Sequence, residues 1–247
     1  MRYLLLSDIH SNIEALDAVL DDARRYEWDR LIVLGDLVGY GAAPNEVVDR
    51  IRSLEPYAVV RGNHDKVAGG VEPADGFNPV AREAVDWTHR ALSSENSRYV
   101  ATLPEGPALV DDVIEIFHGA PYDEDDYVFE RESAERILRQ ARRPVSLFGH
   151  THVACYFWWS PEAFGSGAPG PQGHLEVTLD PNKRYLVNPG AVGQPRDGDP
   201  RAAFAVFDAT HALLMLKRVP YDLRAAQQRI LDAGLPAGLA RRLEFGR

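Results

Sequence analysis

Leu4-Leu5-Leu6-Ser7-Asp8-Ile9-His10 opens the chain, and Ile32-Val33-Leu34-Gly35-Asp36 repeats its logic: a short apolar run that stops on a carboxylate. Between the two runs, Ile13, Leu16, Val19, Leu20 and Ala23 recur at helical spacing. Pro44 then opens a helix through Ile51 and Arg52, proline being favoured in a first turn. Tyr57–Val60 is a third apolar run. A β-α-β-α-β order of this kind predicts parallel strands joined by right-handed crossovers.

Working outward, residues 77–104 read as helical, with Val80, Ala84, Trp87 and Ala91 on one side. Val113–Phe117 and Val145–Phe148 read as strands with a helix, Ser133–Ala141, between them. The pattern then turns β-rich through Val153–Trp159, Leu175–Leu179, Tyr185–Val187, Ala203–Phe207 and Leu213–Val219, with Asp208–His211 as the hairpin loop between the last two. Phe164–Gly173, dense in glycine and proline, is expected to be a flexible surface loop. From Asp222 the tail is helical, interrupted at Gly234 and Pro236. There is no internal repeat or low-complexity segment, and residues 1–247 read as a single domain with two sheets. The helical stretches at 78–103 and 222–244 are candidates to cap a site or to cover a sheet.

Composition bounds the function. The chain has 247 residues, 45% of them apolar and 26% charged, which are globular values. With 27 basic and 37 acidic residues the net charge is −10, so a broad basic face for nucleic acid is not expected. A small anionic substrate is still compatible, because bound cations can reverse the local field. The single cysteine, Cys155, cannot form an internal disulfide. Tyr3–Leu6 is too short for a signal-peptide core. Pro144–Pro161 carries no Asp, Glu, Lys or Arg, but its histidines and bounding prolines argue for two buried strands joined by a loop, not a membrane span. A cytoplasmic protein without membrane contacts is expected.

The chemistry sits where strands end. Val59-Val60-Arg61-Gly62 runs into Asn63-His64-Asp65, Ile114–Phe117 into His118-Gly119, and Ser146–Gly149 into His150-Thr151-His152. In open α/β sheets ligands bind outside the carboxyl ends of strands. Five predicted parallel strands therefore deliver Asp8, His10, Asp36, Asn63, His64, His118, His150 and His152 to one edge. Oxygen and imidazole donors without thiolate suit zinc, manganese, iron or cobalt better than calcium or magnesium. So many donors exceed the needs of one ion; two ions about 3.5–4 Å apart, sharing a carboxylate, would use them. Gly35, Gly62 and Gly149 are expected to let the backbone turn sharply beside the crowded centre.

In order, Asp8-x-His10, Gly35-Asp36, Gly62-Asn63-His64-Asp65, His118-Gly119 and Gly149-His150-Thr151-His152 resemble the motifs of the calcineurin-like metallophosphoesterases. Asn188-Pro189-Gly190-Ala191-Val192-Gly193, followed by Gln194-Pro195-Arg196, is similar to the closing signature of the small bacterial and archaeal phosphodiesterase branch. The resemblance implies an α/β fold, a four-layer α/β/β/α sandwich of two mixed β-sheets flanked by helices. It implies two divalent transition-metal ions per chain, manganese foremost, with iron, zinc, cobalt or nickel as other occupants. Asp8, His10, Asp36 and His152 would take one, and Asp36, Asn63, His118 and His150 the other, with Asp36 bridging. The implied catalytic residues are Asp36 and His64: a hydroxide between the metals attacks phosphorus, and His64 assists the leaving oxygen.

One departure narrows the substrate. Phosphoprotein phosphatases follow Gly-Asp with an aspartate and an arginine that orient the histidine and clamp phosphate; Gly39 and Tyr40 stand at those places here. This favours a small diester or nucleotide over a phosphoprotein, dinucleoside polyphosphates being among the substrates of the branch. Arg196 or Arg61 is a candidate replacement cation, and Asn12 is either a helix N-cap or a phosphate contact. Asn188 is either a ligand-like strand end or part of a turn. Asp65 is expected to cap the turn after His64, while His89, His174 and His211 are expected to be structural. Tyr156–Trp159 are either a stacking platform or a strand alternating between two buried faces, and Asp123–Asp126 a solvated acidic loop. The competing classes are a non-catalytic protein-binding scaffold of the same fold, which the intact donor set and His64 disfavour, and a metal-dependent nuclease, which the charge disfavours. A homodimer is compatible with the branch and is not marked in the sequence.

Overall fold

The computed structural model describes residues 1–247. In chain order the elements are β1 (Arg2–Leu6), α1 (Ile13–Ala23), β2 (Arg30–Val33), α2 (Pro44–Ser53), β3 (Ala58–Val59), α3 (Asn63–Ala68), α4 (Pro79–Ala91), α5 (Ser94–Ala101), β4 (Ala108–Val110) and β5 (Ile114–Ile116). There follow α6 (Arg131–Gln140), β6 (Val145–Leu147), β7 (Cys155–Trp159), β8 (Phe164–Gly167), β9 (His174–Thr178), β10 (Arg184–Asn188), β11 (Ala202–Asp208), β12 (Leu213–Val219), α7 (Leu223–Asp232) and α8 (Ala237–Phe245). No helix is long and apolar enough to cross a membrane.

The strands form two mixed sheets, ordered β3-β2-β1-β11-β12-β9 and β4-β5-β6-β10-β7-β8. As the β-α-β-α-β order predicts, β1, β2 and β3 pair in parallel. β5, β6 and β10 form a second parallel set. The five ligand-bearing strands are therefore divided three and two between the sheets, and do not line one sheet edge. Their carboxyl ends meet because the sheets pack face to face: Tyr3, Leu5 and Ile32 of the first share one core with Ile116, Leu147 and Val187 of the second. On the outer side of the first sheet, Leu4, Leu6 and Phe204 pack against Leu16 and Val19 of α1. Outside the second, Phe157 and Leu186 meet Ile137 and Leu138 of α6. These are the four layers α/β/β/α, and burial of both sheet faces explains why β1 and β2 read as unbroken apolar runs.

Several local expectations are revised. The 77–104 stretch is two helices, broken at Leu92–Ser93, where the Ser93 hydroxyl caps α5 through the Asn96 amide. The buried face of α4 is Ala81, Ala84, Val85 and Thr88, leaving Val80 exposed. This face joins α7, α8 and Tyr40 in a small apolar cluster. Phe164–Gly167, expected as loop, is strand β8, because Trp158 and Tyr156 lie opposite Gly165 and Gly167 and their rings fill the space a Cβ would need. Along β7 Tyr156 and Trp158 face the inter-sheet core while Phe157 and Trp159 face α6, which is alternation between two faces and not a stacking platform. The three-residue β4, flanked by Pro107 and Asp111, was too short to show in the pattern.

Asp208 closes the first sheet. It stands opposite Arg2 in the β1–β11 register and accepts hydrogen bonds from Arg2 Nε, the Thr210 and His211 amides and His211 Nδ1 at 2.9–3.2 Å. Burial opposes its ionisation, but the bonds from His211 and Arg2 outweigh it and hold the carboxyl well below the usual range. Such a group contributes stability above its unfolded pKa of about 3.9, and that contribution is lost as pH falls toward the folded value. Asp208→Asn should therefore cost about 1–2 kcal/mol at pH 7 and progressively less as pH falls from about 4 to about 2, as urea titrations at pH 7 and about pH 2 would show. An equal loss at both would contradict this account.

Candidate metal centre and substrate cleft

The loops after β1, β2, β5 and β6 and the N-terminus of α3 converge where the two sheets meet. Asp8, His10, Asp36 and His152 place one donor atom each within 4.8 Å of one another, and Asp36, His118 and His150 form a second such group. Asp36 belongs to both. Its Oδ1 accepts the His64 amide at 2.9 Å, and its Oδ2 lies 3.5 Å from His10 Nε2 and 3.4 Å from His118 Nε2. Asp8 accepts Ser7 Oγ–H on Oδ2 and the His150 amide on Oδ1, with His152 Nε2 at 3.4 Å. All these side chains are at least 96% buried.

Backbone geometry aims them. Asp8, His10, Asp36, His150 and His152 all have φ between +48° and +63°, a left-handed region that costs a non-glycine residue about 1–3 kcal/mol and is retained where the surroundings over-determine it. The surroundings do so here. The Val192 and Gly193 amides donate to the Ser7 and Asp8 carbonyls, and a Cβ on Gly193 would lie 1.8 Å from the Ile9 carbonyl oxygen. The Asn188-Pro189-Gly190 segment is thus a brace for the Asp8 loop and its neighbour. Asn188 Nδ2 donates to Gly149 O and Thr151 Oγ1 while its Oδ1 accepts the Gly190 amide. Of the three strand-end glycines only Gly35 (φ +94°) makes the sharp turn expected of all three. Gly62 and Gly149 serve close approach instead: a Cβ would lie 2.1 Å from Asp36 Oδ1 and 2.0 Å from Ser7 Oγ, respectively.

Each ligand-type histidine gives one ring N–H to a main-chain carbonyl. His10 Nδ1 reaches Val38 O, His118 Nδ1 reaches Leu34 O, His152 Nδ1 reaches Gln194 O, and His150 Nε2 reaches Asp125 O, at 2.6–3.1 Å. This fixes the tautomers and leaves the other nitrogen of each ring facing the cluster. Those nitrogens meet in pairs, His10 with His152 at 3.1 Å and His118 with His150 at 3.2 Å. Two lone pairs at that distance repel unless a cation or proton lies between them. Burial pushes Asp8 up to about 7, and lowers His150 to about 3 and His10 and His152 well below their ordinary range. Asp36, against its burial, is held well below the carboxylate range by His118, His64 and His10. Asn63 Oδ1 is buried beside this cluster without any hydrogen-bond partner. Against its burial, His118 is pushed up to about 10 by Asp36 and Asp8, and a convergent set of imidazole, carboxylate and carboxamide donors fits divalent cations.

The cluster opens on a cleft whose walls include Asp36, Asn63, His64, His150, Tyr40, Phe77, Tyr127 and Arg196. His64 is 97% buried, with Nδ1 unpartnered and its ring 4.4 Å from Tyr40 and 4.7 Å from Phe77. Gly39 lies against it so closely that a Cβ would be 2.4 Å from Nδ1, which leaves no room for an orienting carboxylate at that place. Arg196 reaches this cleft, its guanidinium donating to Tyr40 OH and Gln194 Oε1. Arg61 does not serve as the replacement cation: Glu124 and Glu105 hold it. Nor is Asn12 free for a phosphate, since Oδ1 caps α1 through the Ala15 amide and Nδ2 donates to Gly193 O in a buried position. Asp65 caps α3 through the Gly62 amide and also accepts the Val38 amide. His89 and His211 bond to Ala68 O and Asp208. The acidic loop is only partly solvated, because buried Glu124 accepts from Arg61 and pairs with Lys66, fastening that loop across α3. Sequence reasoning missed Phe77 and Tyr127, which come from loops without periodicity.

The sequence matches the calcineurin-like phosphoesterase superfamily domain over residues 1–212. It is 35% identical to an uncharacterized protein of Methanocaldococcus jannaschii over 255 residues, covering 98% of this chain and 97% of that one. Its fold is similar to the crystal structure of a metallophosphoesterase from Sphaerobacter thermophilus (37% identity, TM-score 0.87, all of both chains). A hypothetical protein from Pyrococcus horikoshii shares the fold at 22% identity (TM-score 0.80, covering 100% of this chain and 98% of that one).

Refilled with Mn²⁺ and freed of excess, the wild type should retain two equivalents by elemental analysis and Asp36→Asn fewer than one. Asn188→Ala, which loosens the loop carrying His150 and His152, should weaken retention about 10–100-fold. A wild type that saturates at one equivalent would contradict the shared-carboxylate arrangement.

Proposed function

The chain belongs to the calcineurin-like phosphoesterase superfamily, and we propose that it is a dinuclear metal-dependent phosphoesterase that hydrolyses small phosphodiesters or nucleotides. The observation that carries this reading is the pair of buried donor groups joined by Asp36 at the floor of a cleft that also holds His64 and Arg196. Asp8, His10, Asp36 and His152 would hold one cation, and Asp36, Asn63, His118 and His150 the other; manganese is the first occupant to test. When bound, such ions supply Lewis-acid charge to phosphoryl oxygens and lower the pKa of water.

The chain's own groups do the rest. Hydrolysis forms a bond from a water oxygen to phosphorus and breaks the bond to the leaving oxygen, which must gain a proton. That proton is the one the attacking water loses; His64 lines the cleft and is no member of either donor group, so its N–H is available to hydrogen-bond the charge developing on the leaving oxygen. Burial lowers it to about 4, so it acts as a neutral hydrogen-bond donor that Tyr40 and Phe77 keep in place. Arg196 supplies a fixed positive charge for a non-bridging phosphoryl oxygen, held by Tyr40 and Gln194. Tyr40 stands where the clamping arginine of phosphoprotein phosphatases would be, which favours a small ester.

Metal-stripped protein refilled with Mn²⁺ should turn over bis-p-nitrophenyl phosphate, and Asp36→Asn should abolish that turnover. His64→Ala is expected to lower kcat about 10²–10⁴-fold. Arg196→Ala should raise KM about tenfold, the scale of a charged hydrogen bond. Absence of turnover with manganese, cobalt, zinc and iron, despite bound ions, would refute the assignment for phosphodiesters.

A further inference from the structure

Tyr127 lines the cleft and is 47% exposed, and its ring stacks on that of Phe129, itself 56% exposed, at 5.6 Å and 5°. The inner face of Tyr127 lies on His150, 4.0 Å between ring centroids. Two large apolar rings left to water side by side are unusual on a surface unless something covers them. Tyr127 and Phe77 line both the cleft with Asp36, His64 and Arg196 and a neighbouring groove, so the passage between the two runs beside both rings.

The charge of that groove limits what enters it. Its one cation, Lys66, is already bound by Glu72, Glu124 and Asp125 at 2.8–3.2 Å, and Glu72, Asp75 and Asp125 line the same groove. A second phosphate passing Tyr127 would meet three carboxylates and no free cation. An uncharged planar ring would meet no such repulsion where Phe77 and the half-exposed Tyr127 line the passage.

We propose that Tyr127 is the platform for a planar aromatic substituent of the substrate, a nucleobase or a simple aryl group, on the part of the ester that does not leave. The proposal rests on the hydrolytic reading of the same site. Stacking is tolerant of ring identity because every base offers a π-face, so a hydroxyl at this position is dispensable and the ring is not.

Three p-nitrophenyl diesters with a common leaving group test it: methyl, phenyl and thymidine 5′-phosphate. In the Mn²⁺-loaded wild type the thymidine ester should exceed the methyl ester about tenfold or more in kcat/KM. Tyr127→Ala should bring that ratio close to one, and Tyr127→Phe should keep it. A phenyl ester equal to the thymidine ester assigns the platform to any aryl group, whereas a thymidine ester well ahead assigns it to a base. Calorimetric binding of thymidine 5′-phosphate and methyl phosphate to the same three proteins gives the ratio without turnover. Hydrolysis of all three esters at similar efficiency, or a preference that survives Tyr127→Ala, would overturn the platform and leave the hydrolytic assignment standing. A Tyr127-dependent binding ratio without any hydrolysis would do the reverse.

Discussion

Each of four imidazoles spends one ring N–H on a main-chain carbonyl, and the nitrogens that remain are brought together in pairs at 3.1 and 3.2 Å. No arrangement of neutral rings relieves that contact. Rotating a ring would break its carbonyl bond and leave a buried N–H without a partner, which costs about as much as the repulsion it would remove. Asp36 lies between the two pairs, and Asp8 beside one of them, adding negative charge to converging lone pairs. A proton or a cation held at this point relieves the contact.

The rest of the architecture serves to hold that contact. Five of the donor-bearing residues sit in left-handed backbone, and short loops cannot keep such strain unless both of their ends are fixed. Strands β1 and β2 fix one end of their loops by burying apolar residues on both faces, and β5 and β6 by burying Ile114, Ile116, Val145 and Leu147 in the inter-sheet core. Hydrogen bonds between loops fix the other: Asp8 N to Gly35 O, His10 N to Asp36 O, Gly149 N to His118 O, and the amides of the Asn188–Gly193 brace. The second sheet is indispensable for this reason. With the donors divided three strands and two, the centre exists only while the inter-sheet core of Leu5, Ile32, Ile116 and Val187 keeps the two edges in register.

This explains which parts of the molecule were legible from sequence. An apolar run of four or five residues ending on Asp or His shows both the strand and the direction in which its donor points, so β1, β2 and the loops after β5 and β6 could be read one residue at a time. Sheet membership was not legible, because β5 is the same kind of run whether it continues the first sheet or begins another. Strand β8 hid because its glycines have no β-propensity of their own and depend on the rings of Trp158 and Tyr156 across the pair. The availability of a side chain was equally hidden. Arg61 and Arg196 look alike in sequence, yet Glu124 neutralises the first and nothing acidic reaches the second; Asn12 looks like a free amide until both of its ends are found occupied.

That contrast between the arginines also accounts for how an acidic chain can receive an anion. Lys66 and Arg61 flank the Asn63 carboxamide, but both are bound into Glu124, so their charge stabilises the joint between α3 and the 119–126 loop and contributes little field in the cleft. Arg196 is left as the one guanidinium lining it. A phosphate therefore finds attraction in a single direction, from the donor cluster toward Arg196, and repulsion along the groove lined by Glu72, Asp75 and Asp125. On the proposed hydrolytic reading, a field of that shape suits one phosphoryl group beside Arg196. An extended polyanion would need cations spaced along its length, and here those cations are already paired within the protein.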